Sequence, residues 1–437
     1  MTTILHAGVD TRLAGQIVAA GSVDAAICSP PFLALRDYGT GDDREIGHEP
    51  SPADFLDALL DLTDMWGRLL APHGSIAVEL GDTYSGSGGA GGDYAPGGLR
   101  DGQPTFKQGR PPGARTRRVG RTDRRQADGW PAAKSLCGIP TLYAWSLAYG
   151  RNLLRPERTC DRWLVRNVIA WGRSNPPVGD LGDKVRPATS YITVATRSRA
   201  RWFDLEAVRA AGPGPNTHTR VPRSAGARAN SGKSAAAGRG GGWSTLAVAN
   251  TTTGATPLDY WLDDDDAGTM LWDVATQPSS IDHHAMWPPS LADRLVRMLV
   301  PLEVCTTCGE PRRRLVDSVR CLDGEPADLP PISTTERAGA DGDGIGHWRK
   351  TTKRTTVGWS DCGHGTWRPG VVLDPFAGAG TTLAVAELAG RDAIGIDLNP
   401  NLHDLYPRRL AEVRRKLYKA PAVAAGQLGM FTEGETA

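Results

Sequence analysis

Two short stretches at opposite ends of the chain combine residue types that could do chemistry together. The first is Val371-Val372-Leu373-Asp374-Pro375-Phe376-Ala377-Gly378-Ala379-Gly380-Thr381-Thr382, followed after a helical stretch by Ala393-Ile394-Gly395-Ile396-Asp397. It reads as strand, glycine loop, helix, strand and acidic residue, the plan of a nucleoside-cofactor site at the carboxyl end of a parallel sheet. The second is Cys28-Ser29-Pro30-Pro31-Phe32, entered from an apolar strand at residues 23–27. Two prolines fix two φ angles and remove two donors, which leaves the nearby carbonyls free and rigidly aimed. Such acceptors suit an amino group: they orient its hydrogens and leave its lone pair exposed. Ser29 Oγ and the Pro30 carbonyl can both accept, and Phe32 offers a flat face for a stacked ring.

The glycine loop discriminates among cofactors. A triphosphate loop needs Lys-Ser or Lys-Thr after its last glycine; Thr381-Thr382 follows Gly380 here. A dinucleotide loop needs a third glycine three residues on; that position is Leu383. A nucleoside without a long phosphate tail remains. Asp397 is placed to accept from two ribose hydroxyls, and Asp374 with the loop amides to hold an amino-acid end.

Asp-Pro-Phe-Ala-Gly-Ala-Gly-Thr-Thr resembles the S-adenosylmethionine motif of DNA amino-methyltransferases, in the permuted (beta-class) branch where the catalytic motif precedes the cofactor motif. Ser29-Pro30-Pro31-Phe32 resembles the Ser/Asp/Asn-Pro-Pro-Tyr/Phe motif of the same enzymes, and Ser in first place resembles the cytosine-N4 group. Residues 167–177 resemble the family's Trp-x-Lys-x-Asn-Pro stretch, with Arg173 where Lys is usual. Residues 283–302 resemble the segment that packs against the methionine end of the cofactor. The resemblance covers about half the chain.

It implies an α/β fold with a doubly wound, mostly parallel sheet, the S-adenosylmethionine-dependent methyltransferase fold, with insertions. It implies methyl transfer to an exocyclic amine of a base flipped out of double-stranded DNA, with cytosine N4 favoured over adenine N6. Ser29, Pro30, Pro31 and Phe32 would form the catalytic set, Phe32 stacking on the base. Asp374, Phe376, Gly378, Gly380, Thr381 and Asp397 would seat the cofactor. A cognate restriction nuclease fits the same picture; no oligomeric state follows. A catalytically silent DNA-binding protein, and methylation of RNA or a protein glutamine, stay open.

Cys28 precedes Ser-Pro-Pro and ends an apolar strand, which predicts a small buried residue, not a nucleophile. Cys305-Thr306-Thr307-Cys308 is a compact knuckle, and Cys362-Gly363-His364 follows just before the cofactor strand. Cys305, Cys308, Cys362 and His364 make a tetrahedral structural zinc site the expectation, with Cys321 or His347 as alternates for the second pair. His283-His284 lacks a carboxylate at ligand spacing.

With 437 residues and 40% hydrophobic content, the chain can bury a large core. No run of 18 apolar residues predicts a spanning helix, and the N-terminus lacks a signal-peptide pattern. Seven scattered cysteines suggest no disulfide framework, so a cytoplasmic, reducing setting is expected, without a membrane partner. A net charge of +1 does not announce a nucleic-acid binder. The charge is uneven, however: Arg110, Arg115, Arg117, Arg118, Arg121, Arg124 and Arg125 cluster in a Gly/Pro-rich stretch, while residues 263–266 are acidic.

The predicted organisation is a catalytic half at 1–84, a flexible Arg/Gly-rich insertion at 85–133, and the methyltransferase domain resumed at 134–205. A target-recognition insertion at 206–270, a cofactor-side helical segment at 271–304, a zinc-knuckle insertion at 305–368, the cofactor-binding half at 369–420 and a tail at 421–437 follow. Helical spacing at 54–70 ends at Ala71-Pro72-His73-Gly74, where a turn is expected before a strand at 75–82. Asp82 is expected to cap a turn. Leu402, Leu405, Leu410, Val413 and Leu417 form one apolar stripe, which would leave Arg408, Arg409, Arg414 and Arg415 mostly on the outer face.

Overall fold

The computed structural model of the chain describes residues 1–34, 44–85, 129–172, 188–208, 272–273, 287–322, 325–326 and 350–418. The arginine cluster at 110–125, Arg173, Asn175, the acidic run 263–266, His283, His284, His347 and the tail lie outside the described residues, as does nearly all of 206–270. Thirteen strands are described: β1 (Thr3–Ala7), β2 (Val23–Cys28), β3 (Leu70–Leu80), β4 (Leu164–Gly172), β5 (Thr189–Thr196), β6 (Trp272–Asp273), β7 (Glu303–Cys305), β8 (Arg314–Leu322), β9 (Glu325–Pro326), β10 (Lys350–Trp359), β11 (Trp367–Pro369), β12 (Val371–Asp374) and β13 (Asp392–Asp397). The helices are α1 (Ala14–Ile17), α2 (Pro52–Leu69), α3 (Ile139–Tyr149), α4 (Pro289–Leu299), α5 (Thr381–Leu388) and α6 (Leu402–Leu417).

The chain divides into two units. In the first, eight strands lie in the order β1-β13-β12-β2-β3-β5-β4-β6. The pairs from β1 through to β3 are parallel, and so is β4 with β6; β5 runs antiparallel to β3 and β4. This is the mostly parallel α/β sheet the sequence predicts. Every residue of β2 is buried, as a central strand covered on both faces requires. In β3, Ile76, Val78 and Leu80 join the core cluster of α2 and α3, while the alternate residues Ala77 and Glu79 point to the other face. In the second unit β10, β8 and β9 form an antiparallel sheet in that order, with the Arg314 guanidinium 4.6 Å over the Trp359 ring.

Helix α2 forms where the sequence places it. Ser51 accepts from the Asp54 N–H at 3.2 Å as N-cap, and Pro52 opens the first turn. Its buried face presents Phe55, Leu56, Leu59, Leu62 and Trp66 to the sheet. The expected turn after it is not a loop. Strand β3 begins at Leu70, and its register against β2 jumps from Val23–Leu70 to Ala25–Ser75. Ala71-Pro72-His73-Gly74 is therefore a bulge inside the strand.

That bulge buries His73 against Asp24, a fully buried carboxylate at the second residue of β2. His73 Nε2 lies 2.8 Å from Asp24 Oδ1, Arg368 donates to both carboxylate oxygens at 2.7 and 3.1 Å, and the Val371 N–H donates at 2.7 Å. Burial opposes ionisation of Asp24, but the His73 and Arg368 partners outweigh it and hold the carboxyl below its ordinary range. The network pins the first residue of β12 to the centre of the sheet.

Candidate active site

From β12 the chain turns through α5 to β13, on one side of the sheet; from β2 it turns through α2 to β3, on the other. A crevice therefore opens where the two neighbouring strands end, the usual ligand position in a doubly wound sheet. Val372 pairs with Ala25 and Leu373 with Ala26, so Asp374 and the Ser29 turn stand at adjacent strand ends. Residues far apart in sequence are brought to one edge by a two-residue ladder.

On the β12 side, Gly378 and Gly380 both take positive φ, 56° and 87°. A Cβ on Gly380 would lie 2.5 Å from the Tyr406 ring, so that position also excludes any side chain. Asp397 ties the loop down: its carboxylate accepts from the Gly378 N–H at 2.6 Å and the Asn399 N–H at 2.8 Å. Each carboxylate oxygen can accept more than one bond, so acceptor capacity remains. Asp374 is buried and accepts from the Phe376 N–H at 3.1 Å. Burial pushes its carboxyl up to about 7, and the nearby Asp397 charge adds to the shift. The Phe376 ring meets Trp66 edge-on, with centroids 6.1 Å apart.

Thr381 is buried, and its hydroxyl accepts from Arg409 Nε at 3.0 Å. Arg409 is thus not on the outer face of α6. It is 2% exposed and also donates to Glu412 at 2.9 Å and to the Trp287 carbonyl at 3.4 Å. A charge can be buried there because Glu412 pairs with it and neutral acceptors complete its hydrogen bonds. It joins α6 to the start of α5 and to Trp287, two residues before α4.

On the β2 side, Pro30 is buried and Ser29 Oγ donates to Glu79 Oε2 at 2.5 Å. Glu79 is 2% exposed. The sequence reading missed it, although one acid within the apolar strand at 75–80 was a visible signal. The Phe32 ring lies over Gly81: a Cβ there would sit 2.4 Å from one ring carbon and 2.7 Å from the next. Cys28 is fully buried, and burial, followed by the Asp374 and Glu79 charges, pushes its thiol well up, so it stays a neutral thiol. Asp82 accepts from the Gly138 and Ile139 N–H groups at 2.9 and 3.2 Å, capping α3.

The Cys/His residues also meet. The ligand atoms of Cys305, Cys308, Cys362 and His364 all lie within 4.8 Å of one another. His364 Nδ1 is 3.3 Å from Cys362 Sγ and 3.6 Å from Cys305 Sγ. Strands β7 and β11 pair antiparallel, Cys305 opposite Trp367, and bring the two halves together. Burial opposes ionisation of Cys305, but the Cys308 and Thr307 N–H groups donated to its sulfur bring the thiol down to about 6. Three sulfurs and one imidazole in this array suit a tetrahedral d¹⁰ cation.

Residues 364–407, which span the glycine loop and β13, match the family model described as DNA methylase, of the N6/N4 methyltransferase type. The type II methyltransferase M.Cfr9I of Citrobacter freundii is 29% identical over 189 residues, 43% of this chain and 53% of its own. M.SmaI of Serratia marcescens is 25% identical over 203 residues, 46% of this chain and 58% of its own. The chain thus spans about half the length of the curated relatives it matches. Among solved structures, the cytosine-N4-specific PvuII DNA methyltransferase aligns over 96% of this chain and 95% of its own, at 11% identity and a TM-score of 0.45.

Proposed function

We propose that this chain, which belongs to the DNA amino-methyltransferase family, methylates an exocyclic amine of a base rotated out of duplex DNA, cytosine N4 being the favoured target. The observation that carries the reading is the Ser29–Glu79 pair standing at the strand end next to Asp374 and the glycine loop. Asp374, Phe376, Gly378, Gly380 and Asp397 would hold S-adenosylmethionine, which would supply a methyl group already activated by its positive sulfur. Thr381 contributes through Arg409, by fixing the first turn of α5.

The protein's share is then positioning and proton handling. The Pro30 carbonyl and Ser29 Oγ accept the two amine hydrogens, so that the lone pair faces the methyl carbon. Transfer to that lone pair would form the N–C bond as the methyl–sulfur bond of the bound cofactor breaks, its electron pair staying on sulfur. The nitrogen gains positive charge and loses one proton to the Ser29–Glu79 pair. Glu79, buried and one hydrogen bond away, stabilises that charge as it develops. Phe32 stacks on the base. Cys28 takes no part, because attack on a ring carbon would need a thiolate. Cys305, Cys308, Cys362 and His364 would hold one structural zinc ion, with no part in methyl transfer. Among the described residues no helix is long and apolar enough to cross a membrane.

The test is methyl transfer from labelled S-adenosylmethionine to duplex DNA, with the product digested to nucleosides. N4-methylcytosine is the expected product; N6-methyladenine would keep the mechanism and change the base. No labelled amine, from protein that binds the cofactor, would leave the catalytically silent reading standing.

A further inference from the structure

Ser190 is fully buried, yet among the described residues none is hydrogen-bonded to its hydroxyl oxygen. Native proteins rarely keep such a group unless a ligand or water completes it. Its position in the sheet says which ligand. Ser190 pairs with Trp171 of β4, and one step beyond the Leu80–Tyr191 pair it stands beside Gly81. Side chains alternate along a strand, so Ser190, Gly81 and Glu79 share one face. That is the face the Phe32 ring occupies over Gly81. Trp171, 3% exposed, lies on the same face across the ladder. Diagonal neighbours across an antiparallel pair are about 7–8 Å apart, a span that matches an amine and the ring atom next to it.

We propose that Ser190 is a specificity residue for the target base, donating its hydroxyl hydrogen to the ring nitrogen adjacent to the amine-bearing carbon, N3 of cytosine or N1 of adenine. The inference rests on the methyltransferase reading and deepens it. Both candidate bases carry that acceptor, whereas the corresponding nitrogen of guanine and of thymine carries hydrogen. A donor here favours cytosine or adenine and opposes the other two.

The experiment uses the full chain, S-adenosylmethionine and two duplexes. One carries the ordinary target base; in the other that ring nitrogen is replaced by CH, as 3-deazacytosine or 1-deazaadenine. Wild type and Ser190→Ala are compared on both, so that any change in intrinsic reactivity of the analogue cancels. Wild type should lose about tenfold or more in kcat/KM on the deaza duplex beyond the loss that Ser190→Ala shows, the size expected when a buried donor loses its acceptor. Equal proportional losses in the two proteins would overturn the proposal. The melting temperature of Ser190→Ala should match or exceed wild type, since the hydroxyl removed had no partner among the described residues; a fall of several degrees would assign it a structural bond and count against the base contact. If wild type transfers no methyl to the ordinary duplex, the methyltransferase reading itself fails. If it transfers normally and the losses merely multiply, only the role of Ser190 fails.

Discussion

Replacing Gly81 by alanine should disable base binding without touching the cofactor loop. The added Cβ would lie 2.4 Å from Phe32 Cε2 and 2.7 Å from Cδ2, whereas ordinary contacts begin at 3.4 Å. The ring must therefore move by about 1 Å. Gly81 follows β3 in ordinary backbone conformation, so the whole effect falls on the ring. A misplacement of that size in a positioning group costs on the order of 10²-fold in rate. Overpacking at the site should cost about 1–3 kcal/mol of stability, which a large α/β domain survives. The assay is single-turnover methyl transfer beside equilibrium binding of S-adenosylmethionine. The rate should fall about a hundredfold, with cofactor affinity within about twofold of wild type. Phe32→Leu should lower the rate as well, and the double variant should be little worse than either single one, because both act through the same ring. Wild-type rates in Gly81→Ala would refute the placement of Phe32 as the stacking platform. Fully multiplicative losses would show that the two positions act separately.

Glu79→Gln should lower kcat by about 10²- to 10⁴-fold while cofactor binding holds, a split read from kcat and the cofactor dissociation constant; an unchanged kcat would remove Glu79 from proton handling. Asp374 has its folded carboxyl raised to about 7 from 3.8, so the folded state holds more protons than the unfolded one between those values. Its contribution to the cofactor-free protein is present below about pH 4 and fades as pH rises towards 7. Thermal melts across that window should show wild type losing stability relative to Asp374→Asn; the opposite slope would contradict the buried, protonated carboxyl. Chelation of the metal should release about one zinc ion per chain and lower the melting temperature. Zinc-free protein of unchanged melting temperature and activity would dispose of the metal site.

The chemistry-bearing motifs were legible because each is local. A glycine loop needs positive φ within a few residues, and a Pro-Pro turn announces itself in four letters. The mostly parallel sheet followed from reading β12 as a buried strand and from the resemblance, but its strand order did not. What escaped was whatever depends on pairing. Glu79 meets its hydrogen-bond partner Ser29 from fifty residues away. Asp24 could not be read as a buried anchor, because its partners Arg368 and His73 come from the separate β7–β11 ladder and from a bulge. The bulge itself was hidden because Pro72 and Gly74 carry the same signal in a turn. Arg409 looked like an outer-face residue since the apolar stripe of α6 omits it; only its bonds to Glu412, Thr381 and Trp287 make burial tolerable. The Cys/His cluster was readable from ligand types alone, although the long interval between its halves concealed that β7 and β11 join them.

A crystal structure of the chain with a non-reactive S-adenosylmethionine analogue and a duplex bearing its target base tests the central claim most directly. The account predicts the analogue between Asp374 and Asp397, the flipped base against Phe32, and its amine within about 3–3.5 Å of the methyl position, hydrogen-bonded to Ser29. A cofactor bound elsewhere, or an amine turned away from Ser29 and Pro30, would contradict it.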